Sequence, residues 1–407
     1  MSKKKIAVIG AGIIGLNTAY YLQKTDCQVT LFDRQDPGTG TSRGHANMIA
    51  NYGVPAINQP QVWGQIPRYL FSSSSPISIQ WNKIGQLTPW LLQFLKHCNT
   101  SSMKRTAEYT SSLLQCSLQD YQELLKEIKS QNLLTHRGVL YVWINPRQQP
   151  SISQVNIRSQ SGVEQHKLTG DQVRELEPNL SSQIKGGWHF PKAHHTLNSD
   201  LILNKLYQSF IEYGGHFQKQ EVTSINIKNQ LTKVNDQNFD QIVVCTGAFS
   251  KSLVKQIEGS FIPLETERGY HIEYIQKQKL LTRPTSLVES GMYLTPLHDR
   301  IRAVGTVELG GLHSRITQAR INYIARDAQR LIPSLQDFQN SWLGYRPTLP
   351  DCLPVLGRSP KFENIFYAFG HNHLGWTLGP TTGKLISNLI IKNIPIDAAF
   401  NISRFLK

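Results

Sequence analysis

Three glycines near the start of the chain have the spacing of a phosphate-binding turn. Gly10, Gly12 and Gly15 form the pattern G-x-G-x-x-G between the apolar run 6–9 (IAVI) and the apolar segment 13–23. In such a turn the first glycine allows a tight bend, the second lets the backbone approach a pyrophosphate, and the third lets a helix pack on a strand. The helix then directs its free N–H groups at the phosphates. We therefore predict a strand, a glycine turn and a helix that bind a dinucleotide.

An acidic residue supports this prediction. The run 28–32 (QVTLF) reads as a second strand and ends at Asp33, which follows Gly10 by twenty-three residues. In dinucleotide-binding folds an acid at about this distance accepts a hydrogen bond from the ribose.

The same opening stretch could be taken for a membrane segment, because Lys3, Lys4 and Lys5 precede apolar residues. A signal peptide would end in a small-residue cleavage site, and 23–26 (QKTD) provides none. A spanning helix needs about 20 apolar residues, and the three glycines and Asn17 interrupt this run. We therefore expect a nucleotide-binding fold.

The overall composition is typical of a folded protein of more than one domain. The 407 residues are 39% hydrophobic and 17% charged, and the five cysteines form no C-x-x-C pair. We therefore expect no disulfide framework. We expect a cytoplasmic location, because proteins of that reducing compartment rarely contain disulfides.

The net charge of +15 favours anionic partners. Because the basic residues are scattered beyond Lys3, Lys4 and Lys5, no nucleic-acid partner is expected. Peripheral contact with an anionic membrane, on the inner face of the cytoplasmic membrane, remains open.

The rest of the chain alternates between helical and strand patterns. Two helices are predicted between 87 and 130, and strands at 138–144 and 186–191. Nucleotide-type segments occur at the beginning, in the middle (QIVVCTGAFS) and at the end, with strand-rich segments between them. This order predicts two interleaved domains. The pairs His194–His195 and His371–His373 lack carboxylates at ligand spacing, so no metal site is expected.

The motifs in this order resemble those of the FAD-dependent D-amino-acid oxidase (DAO) family, nearly end to end. The resemblance is strongest to bacterial D-amino-acid dehydrogenase small chains and D-hydroxyproline dehydrogenases. It is carried by the sequences IAVIGAGIIGLNTAYYL, GTSRGHANM, VVCTGAFS, GYRPTLPDCLPVLGRSP and YAFGHNHLGWTLGPTTGKLIS; the last two are the most specific.

The resemblance implies an α/β fold. A Rossmann-type FAD-binding domain would be interleaved with an α+β substrate domain on a mostly antiparallel sheet. The FAD-binding domain would comprise 1–86, 195–258 and 343–407, and the substrate domain 87–194 and 259–342.

The resemblance also implies which residues hold FAD, expected to be bound non-covalently. They are Gly10, Gly12, Ile13, Ile14, Gly15, Asp33, Arg34, Thr41, Ser42, His45, Asn47, Val222, Thr246, Gly247, Arg346, Gly370, His373, Leu374, Gly375, Trp376 and Thr377. For His45 a loop residue without contact to the flavin is an equal alternative. The role of Cys352 stays open.

For catalysis the resemblance implies that Arg346 binds the substrate carboxylate, since a guanidinium offers two parallel donors. The alternative for Arg346 is a salt bridge, for example to Asp351. Tyr270 and Tyr293 are candidates for a second contact, with packing in a sheet as the alternative for each.

The implied activity is oxidation of a D-amino acid or D-hydroxyproline by hydride transfer to flavin. The imino acid formed would hydrolyse to a 2-oxo acid and ammonia, and the electrons would pass to a quinone or another respiratory-chain acceptor. The alternatives are an oxygen-using amine, glycine or sarcosine oxidase, an FAD enzyme that modifies transfer RNA, and a non-catalytic FAD-binding subunit.

Overall fold

The computed structural model describes residues 3–55, 57–64, 66, 75–228, 231–276 and 278–406. Its strands are β1 Lys4–Ile9, β2 Cys27–Asp33, β3 Met48–Ile49, β4 Ile77–Ile79, β5 Leu134–Thr135, β6 Val139–Trp143, β7 His166–Thr169, β8 Gly186–Phe190, β9 His194–Thr196, β10 His216–Lys219, β11 Ile225–Lys228, β12 Leu231–Val234, β13 Gln237–Phe239, β14 Gln241–Val244, β15 Glu265–Ile275, β16 Thr285–Leu287, β17 Met292–Pro296, β18 Arg300–Leu309, β19 Gln339–Thr348, β20 Val355–Arg358 and β21 Ile365–Phe369. Its α-helices are α1 Ile13–Gln23, α2 Ile84–His97, α3 Thr100–Leu114, α4 Ser117–Glu127, α5 Ile152–Gln160, α6 Gly170–Leu176, α7 Ser199–Glu212, α8 Ser250–Glu258, α9 Gln318–Leu331 and α10 Gly375–Lys392.

A six-stranded sheet forms the predicted nucleotide-binding half. Its order is β10-β2-β1-β14-β21-β20, and every neighbouring pair is parallel except β20 with β21. The apolar run 6–9 is fully buried at its centre, as expected for a parallel sheet covered on both faces. Helix α1 packs on α10 and α7. The predicted strand–turn–helix–strand unit is confirmed.

A larger mixed sheet forms the other half. Eight of its strands follow the order β19-β15-β18-β17-β16-β6-β8-β7, and β4 adds to it by pairing with β18. All neighbouring pairs are antiparallel except β16 with β6 and β18 with β4. Helix α9 packs on β15, β17 and β18 and closes an apolar core on that face.

Two three-stranded antiparallel sheets complete the fold. One is the meander β11-β12-β13, and the other has the order β3-β9-β5. The second sheet joins residues 48–49 to residues 134–135 and 194–196. The predicted α/β class, with a Rossmann-type half and a mostly antiparallel half, is confirmed.

The five-segment domain division stays a prediction. The strands of the six-stranded sheet fall in 1–86, 195–258 and 343–407, the segments predicted to form the FAD-binding domain. However, β4 and the end of β19 also fall in these segments, although both strands belong to the large sheet. Helices α3 and α4 share the core of α1 and α10.

The segment 87–130 contains parts of three helices, where the sequence suggested two. Asn99, whose side chain accepts a hydrogen bond from the Ser102 N–H, caps α3 after the first predicted helix, 87–97. The second predicted helix, 109–128, is divided at 115–116 into the end of α3 and α4. Apolar residues continue at helical spacing through this break, so the pattern did not reveal it.

Candidate functional site

A cavity of about 960 Å³ lies where the two halves meet. One side is formed by the carboxyl ends of β1, β2, β14 and β21 and the start of α1, and the other by the faces of β15, β18 and β19. Ligands of open parallel sheets bind at this edge. The volume is at the upper end of what ligand-binding sites enclose.

The glycine turn is built as the sequence predicted. Gly10 has φ +102°, and a Cβ there would lie 2.6 Å from the carbonyl oxygen of Cys245, so no side chain fits where the chain leaves β1 beside the end of β14. Gly15 faces away from the cavity, where a Cβ would collide with the Gly10 carbonyl. It therefore sets the approach of α1 to β1. Gly12, Ile13 and Ile14 line the cavity.

Asp33 lies at the end of β2 and lines the cavity. Its carboxylate accepts hydrogen bonds from the N–H groups of Ala11 (2.7 Å) and Gln35 (2.9 Å). A carboxylate has about four acceptor positions, so it can still accept hydroxyl hydrogen bonds. Beside it, the Arg34 guanidinium stacks on Phe249 at 4.0 Å. Val222, Thr246 and Gly247 line the same end.

The loop 41–47 forms part of the cavity wall. Thr41 is fixed by exchanging hydrogen bonds with the backbone of Tyr345, and Ser42 Oγ accepts from the Ile13 N–H at the start of α1. From outside the cavity, buried Arg302 donates to the carbonyls of Arg43 and His45.

Asn47 does not line the cavity. It is fully buried with φ +56°, and its side-chain oxygen accepts from Arg302 at 2.9 Å. Its place in the structure is that of a loop anchor.

At the other end, the start of α10 reaches the cavity through a sharp turn. Gly370 has φ +83°, and a Cβ there would lie 2.6 Å from Leu349 Cδ1. Gly370, His373, Gly375 and Trp376 line the cavity. The first N–H groups of a helix lack partners within it and carry partial positive charge, so this end favours an anionic group.

His45 stacks on Trp376, with ring centroids 4.0 Å apart. Its Nδ1 accepts from the Asn47 N–H, which leaves the proton of the neutral ring on Nε2. That Nε2 and the Trp376 Nε1 are both buried without a hydrogen-bond partner among the described residues. Two unused donors at the wall of a cavity indicate a ligand with acceptor atoms. The structure thus brings His45 to the cavity.

Arg346 lies on β19 at the same end, and its Nη1 donates to the Thr306 carbonyl at 3.0 Å. The guanidinium covers Gly269, where a Cβ would lie 2.5 Å from Cζ. Thr306 has φ +60° at an irregularity in the β15–β18 ladder, a strained conformation for a β-branched residue. The bulge turns its carbonyl towards the guanidinium.

Arg346 makes no ion pair within the part of the chain that the structure describes. Asp351, its suggested alternative partner, binds Arg404 instead, at 2.7 Å. Glu267 pairs opposite Arg346 in the ladder and also lines the cavity. Burial raises the pKa of Glu267, and the Arg346 charge opposes that rise.

His373 faces the cavity near Arg346. The surrounding protein and the Arg346 charge lower the pKa of His373 to about 4, so the ring is neutral at neutral pH.

Tyr293 lies in the cavity wall and shares a 2.8 Å hydrogen bond with the Tyr141 hydroxyl. Tyr52 completes this aromatic wall. Buried Arg158 lies behind it, with its guanidinium 5.5 Å from the Tyr141 ring centroid. Burial raises the pKa of Tyr293, so the hydroxyl is protonated and can donate.

The structure does not bring Tyr270 to the cavity. Successive strand residues point to opposite faces; Glu267 and Gly269 face the cavity, so Tyr270 faces α9. Its hydroxyl donates to Glu308 at 2.5 Å in the core under that helix. Its predicted contact with the substrate is corrected to a packing role.

Leu374 and Thr377 are also outside the cavity wall. Leu374 is the N-cap of α10. The Thr377 hydroxyl accepts from the Ala50 N–H at 2.9 Å and ties α10 to the segment after β3. Both position the helix start.

The two histidine pairs of the sequence, His194–His195 and His371–His373, make contacts in different parts of the structure. His194 stacks on His136, and His371 shares a hydrogen bond with Thr382 at 2.9 Å. Among the described residues no group of three or more His, Cys, Asp or Glu side chains is placed to hold a metal ion.

Several residues that line or support the candidate site were not singled out in the sequence. They are Glu267, Gly269, Arg302, Tyr141 and Tyr52. Gly269 carried a usable signal, because a glycine inside a strand often marks a close approach.

The cavity residues fit FAD. The glycine turn and the start of α1 suit a pyrophosphate, Asp33 suits a ribose, and the unpartnered donors of His45 and Trp376 with the start of α10 suit an acceptor-rich ring.

A profile of the DAO family, described as FAD dependent oxidoreductase, matches residues 5–389. The chain belongs to the DAO family. It is an FAD-dependent oxidoreductase.

This DAO-family chain is similar to curated proteins along its whole length. It is 28% identical to a D-amino-acid oxidase of Bradyrhizobium diazoefficiens over 422 residues, covering 99% of each chain. It is 29% identical to a D-amino acid dehydrogenase of Vibrio atlanticus over 414 residues, covering 95% of each. Among solved structures, glycine oxidase from Geobacillus kaustophilus has a TM-score of 0.74 at 20% identity and full coverage of both chains. That last likeness bears on the fold alone.

Proposed function

We propose that this DAO-family oxidoreductase is a dehydrogenase that oxidises a D-amino acid or D-hydroxyproline. The observation that carries the proposal is the Arg346 guanidinium. It lies in the cavity, is held by a backbone carbonyl and has no ion pair among the described residues. Such a group suits a carboxylate, which it can bind through two parallel hydrogen bonds. The names of the two curated relatives support an amino-acid substrate.

The residues of the cavity would orient the substrate. Arg346 binds its carboxylate, and Tyr293, fixed by Tyr141, donates a further hydrogen bond or packs against the side chain. FAD, when bound, supplies the acceptor for a hydride from the substrate Cα. With a primary D-amino acid, water then hydrolyses the imino acid product to a 2-oxo acid and ammonia. With D-hydroxyproline, whose nitrogen lies in a ring, the oxidation product is a pyrroline.

We assign no catalytic base. The pKa of His373, about 4, is too low to hold the amine proton at neutral pH. No dedicated base is required if the substrate amine loses its proton on binding.

The test is anaerobic bleaching of the flavin absorbance. The holoenzyme is mixed with D-amino acids, L-amino acids, glycine, sarcosine and hydroxyproline isomers. Bleaching by D-amino acids or D-hydroxyproline is expected. Bleaching by glycine or sarcosine alone would replace the proposal with the oxidase alternative. Absence of bleaching with FAD bound would favour transfer-RNA modification or a non-catalytic subunit.

Replacing Arg346 tests the carboxylate contact. We expect Arg346→Gln to raise the substrate concentration for half-maximal bleaching about 100-fold, because the loss of a charged hydrogen-bond partner costs about 2–3 kcal/mol. For Arg346→Lys this concentration should lie between those of the wild type and Arg346→Gln, because lysine keeps the positive charge but cannot form two parallel hydrogen bonds. FAD content, read from the absorbance ratio, is the control. An unchanged half-saturation would contradict the assignment.

For the electron acceptor we propose a quinone or another respiratory-chain component. After anaerobic bleaching, a soluble quinone analogue should restore the flavin absorbance faster than air does. Faster recovery in air would identify an oxidase.

We further propose that FAD is bound non-covalently. Cys352 does not line the cavity, and burial raises the pKa of its thiol, which disfavours a reactive thiolate. Acid precipitation should release the yellow cofactor into the supernatant, and a yellow pellet would refute this.

We propose a cytoplasmic protein with peripheral contact to an anionic membrane. In the described part of the chain no helix has the length and apolarity to cross a bilayer. The net charge of +15 favours anionic lipid. Co-sedimentation with anionic but not zwitterionic vesicles, reversed by salt, is expected; equal recovery with both would refute the contact.

A further inference from the structure

A second cavity, of about 430 Å³, lies beside the sheet β3-β9-β5. We call it the His195 pocket. Its polar lining comprises Thr135 of β5, His195 of β9, and Arg137, Gln276, Gln278, Lys279, Thr282 and His298 from adjoining segments. It shares no lining residue with the FAD cavity, so the cofactor site does not explain it.

His195 is the buried polar group of this pocket. Its side chain is 1% exposed, and neither ring nitrogen has a hydrogen-bond partner among the described residues. The Pro296 carbonyl is near enough to favour the protonated ring, but forms no well-aligned hydrogen bond. Leaving such a group unsatisfied in the interior costs free energy. A polar ligand in the pocket would remove this cost.

The charges around the pocket are positive. Arg137 and Lys279 are exposed at its mouth, and no salt bridge involves either within the described ranges. Among the residues that the structure describes, no Asp or Glu lines the pocket. Glu177, behind Thr282, is bound by Arg283 at 2.9 Å, and Asp299 lies 3.5 Å from Arg300.

The protonation of His195 is consistent with a donor role. Burial, and then the nearby charges including those of Lys279 and Arg137, lower the pKa of His195 to about 3. The ring is therefore neutral at neutral pH, with one N–H to donate.

We propose that the His195 pocket binds a small oxyanion, a phosphate or a carboxylate group. The N–H of His195 contacts it inside the pocket, and Arg137 and Lys279 neutralise it at the mouth. The backbone of His195 pairs with Met48, which lines the FAD cavity. An occupied pocket therefore stabilises the small sheet that forms part of the FAD cavity wall.

Calorimetric titration of the FAD-loaded enzyme tests the proposal, with inorganic phosphate as one probe and succinate as the other. Ionic strength is held constant with chloride. Saturable binding of one phosphate or one succinate per chain is expected, and which probe binds more tightly identifies the anion class. Because Arg346 in the first cavity is proposed to bind a carboxylate beside FAD, each titration is repeated with Arg346→Gln, which should leave binding at the His195 pocket unchanged.

Two exposed substitutions make the test specific. Arg137→Gln and Lys279→Gln should each raise the dissociation constant of the bound anion at least fivefold. The matched controls Arg147→Gln and Lys167→Gln, also exposed, should not. His195→Gln, checked for an unchanged unfolding temperature, should weaken binding further. Absence of saturable binding by either probe, or binding that Arg137→Gln and Lys279→Gln leave unchanged, would overturn the proposal.

Discussion

The guanidinium of Arg346 occupies space that a strand glycine leaves open. Gly269 lies beneath it, and the strained Thr306 presents its carbonyl to Nη1. A side chain at position 269 would push the guanidinium away from the place where a carboxylate can reach it. The proposed substrate contact of Arg346 therefore depends on the absence of a side chain at position 269.

Gly269→Ala tests this dependence. We expect a rise of at least tenfold in the substrate concentration for half-maximal flavin bleaching, because the added Cβ lies 2.5 Å from Cζ of Arg346. FAD content should be unchanged. Gly85→Ala is the control, since a Cβ there meets nothing within 4 Å. Unchanged substrate saturation in Gly269→Ala would show that the guanidinium has room elsewhere.

At the scale of elements, the loop 41–47 is held by a strand residue of the other half. Arg302 on β18 donates to the carbonyls of Arg43 and His45 and to the Asn47 side chain, and it pairs with Glu273 at 2.8 Å. Burial lowers the pKa of Arg302, and Glu273 opposes that shift. Its Nη1 lies within hydrogen-bond distance of all three loop acceptors, while Nε and Nη2 donate to Glu273.

Arg302→Lys should loosen this loop, because an ammonium cannot span those acceptors. We expect FAD to bind about tenfold more weakly, equivalent to about 1.4 kcal/mol, with a lowered unfolding temperature. Fluorescence titration of the apoprotein with FAD measures the affinity. Arg300→Lys, on the same strand with a quarter of its side chain exposed, should change it little. If both variants bound FAD alike, the loop would not depend on Arg302.

At the scale of the whole molecule, many histidines are surrounded by protein. Burial is the main cause that lowers the pKa of His195 and His371 to about 3 and of His189, His271 and His373 to about 4. In the unfolded chain a histidine titrates near 6.5. Below that pH the unfolded state therefore binds more protons than the folded state, so stability falls as pH falls.

The free energy of unfolding should therefore decrease between about pH 6.5 and pH 5, with a slope of up to about 1.4 kcal/mol per pH unit for each such histidine. Glu267, whose pKa burial raises, opposes this slope. Urea unfolding at several pH values measures it. His371→Gln should reduce the slope by up to about 1.4 kcal/mol per pH unit, the contribution of one proton. His216→Gln, at an exposed position, should leave the slope unchanged. A flat profile would contradict the expectation.

The sequence alone determined the features whose cause is local. Gly10, Gly12, Gly15 and Asp33 predicted the nucleotide end of the site, because tight turns and helix starts need those residue types at fixed spacing. The resemblance to the DAO family added Arg346 and the start of α10, and their common cavity agrees with it.

Only the tertiary structure decided what depends on distant strands. Tyr270 was predicted in the site, but the pleat of β15 gives the cavity face to Glu267 and Gly269. Arg302 and the His195 pocket carry no local sequence signal, because their partners come from segments far apart in the chain. Interactions of that kind are set by strand order and register, which a single sequence does not state.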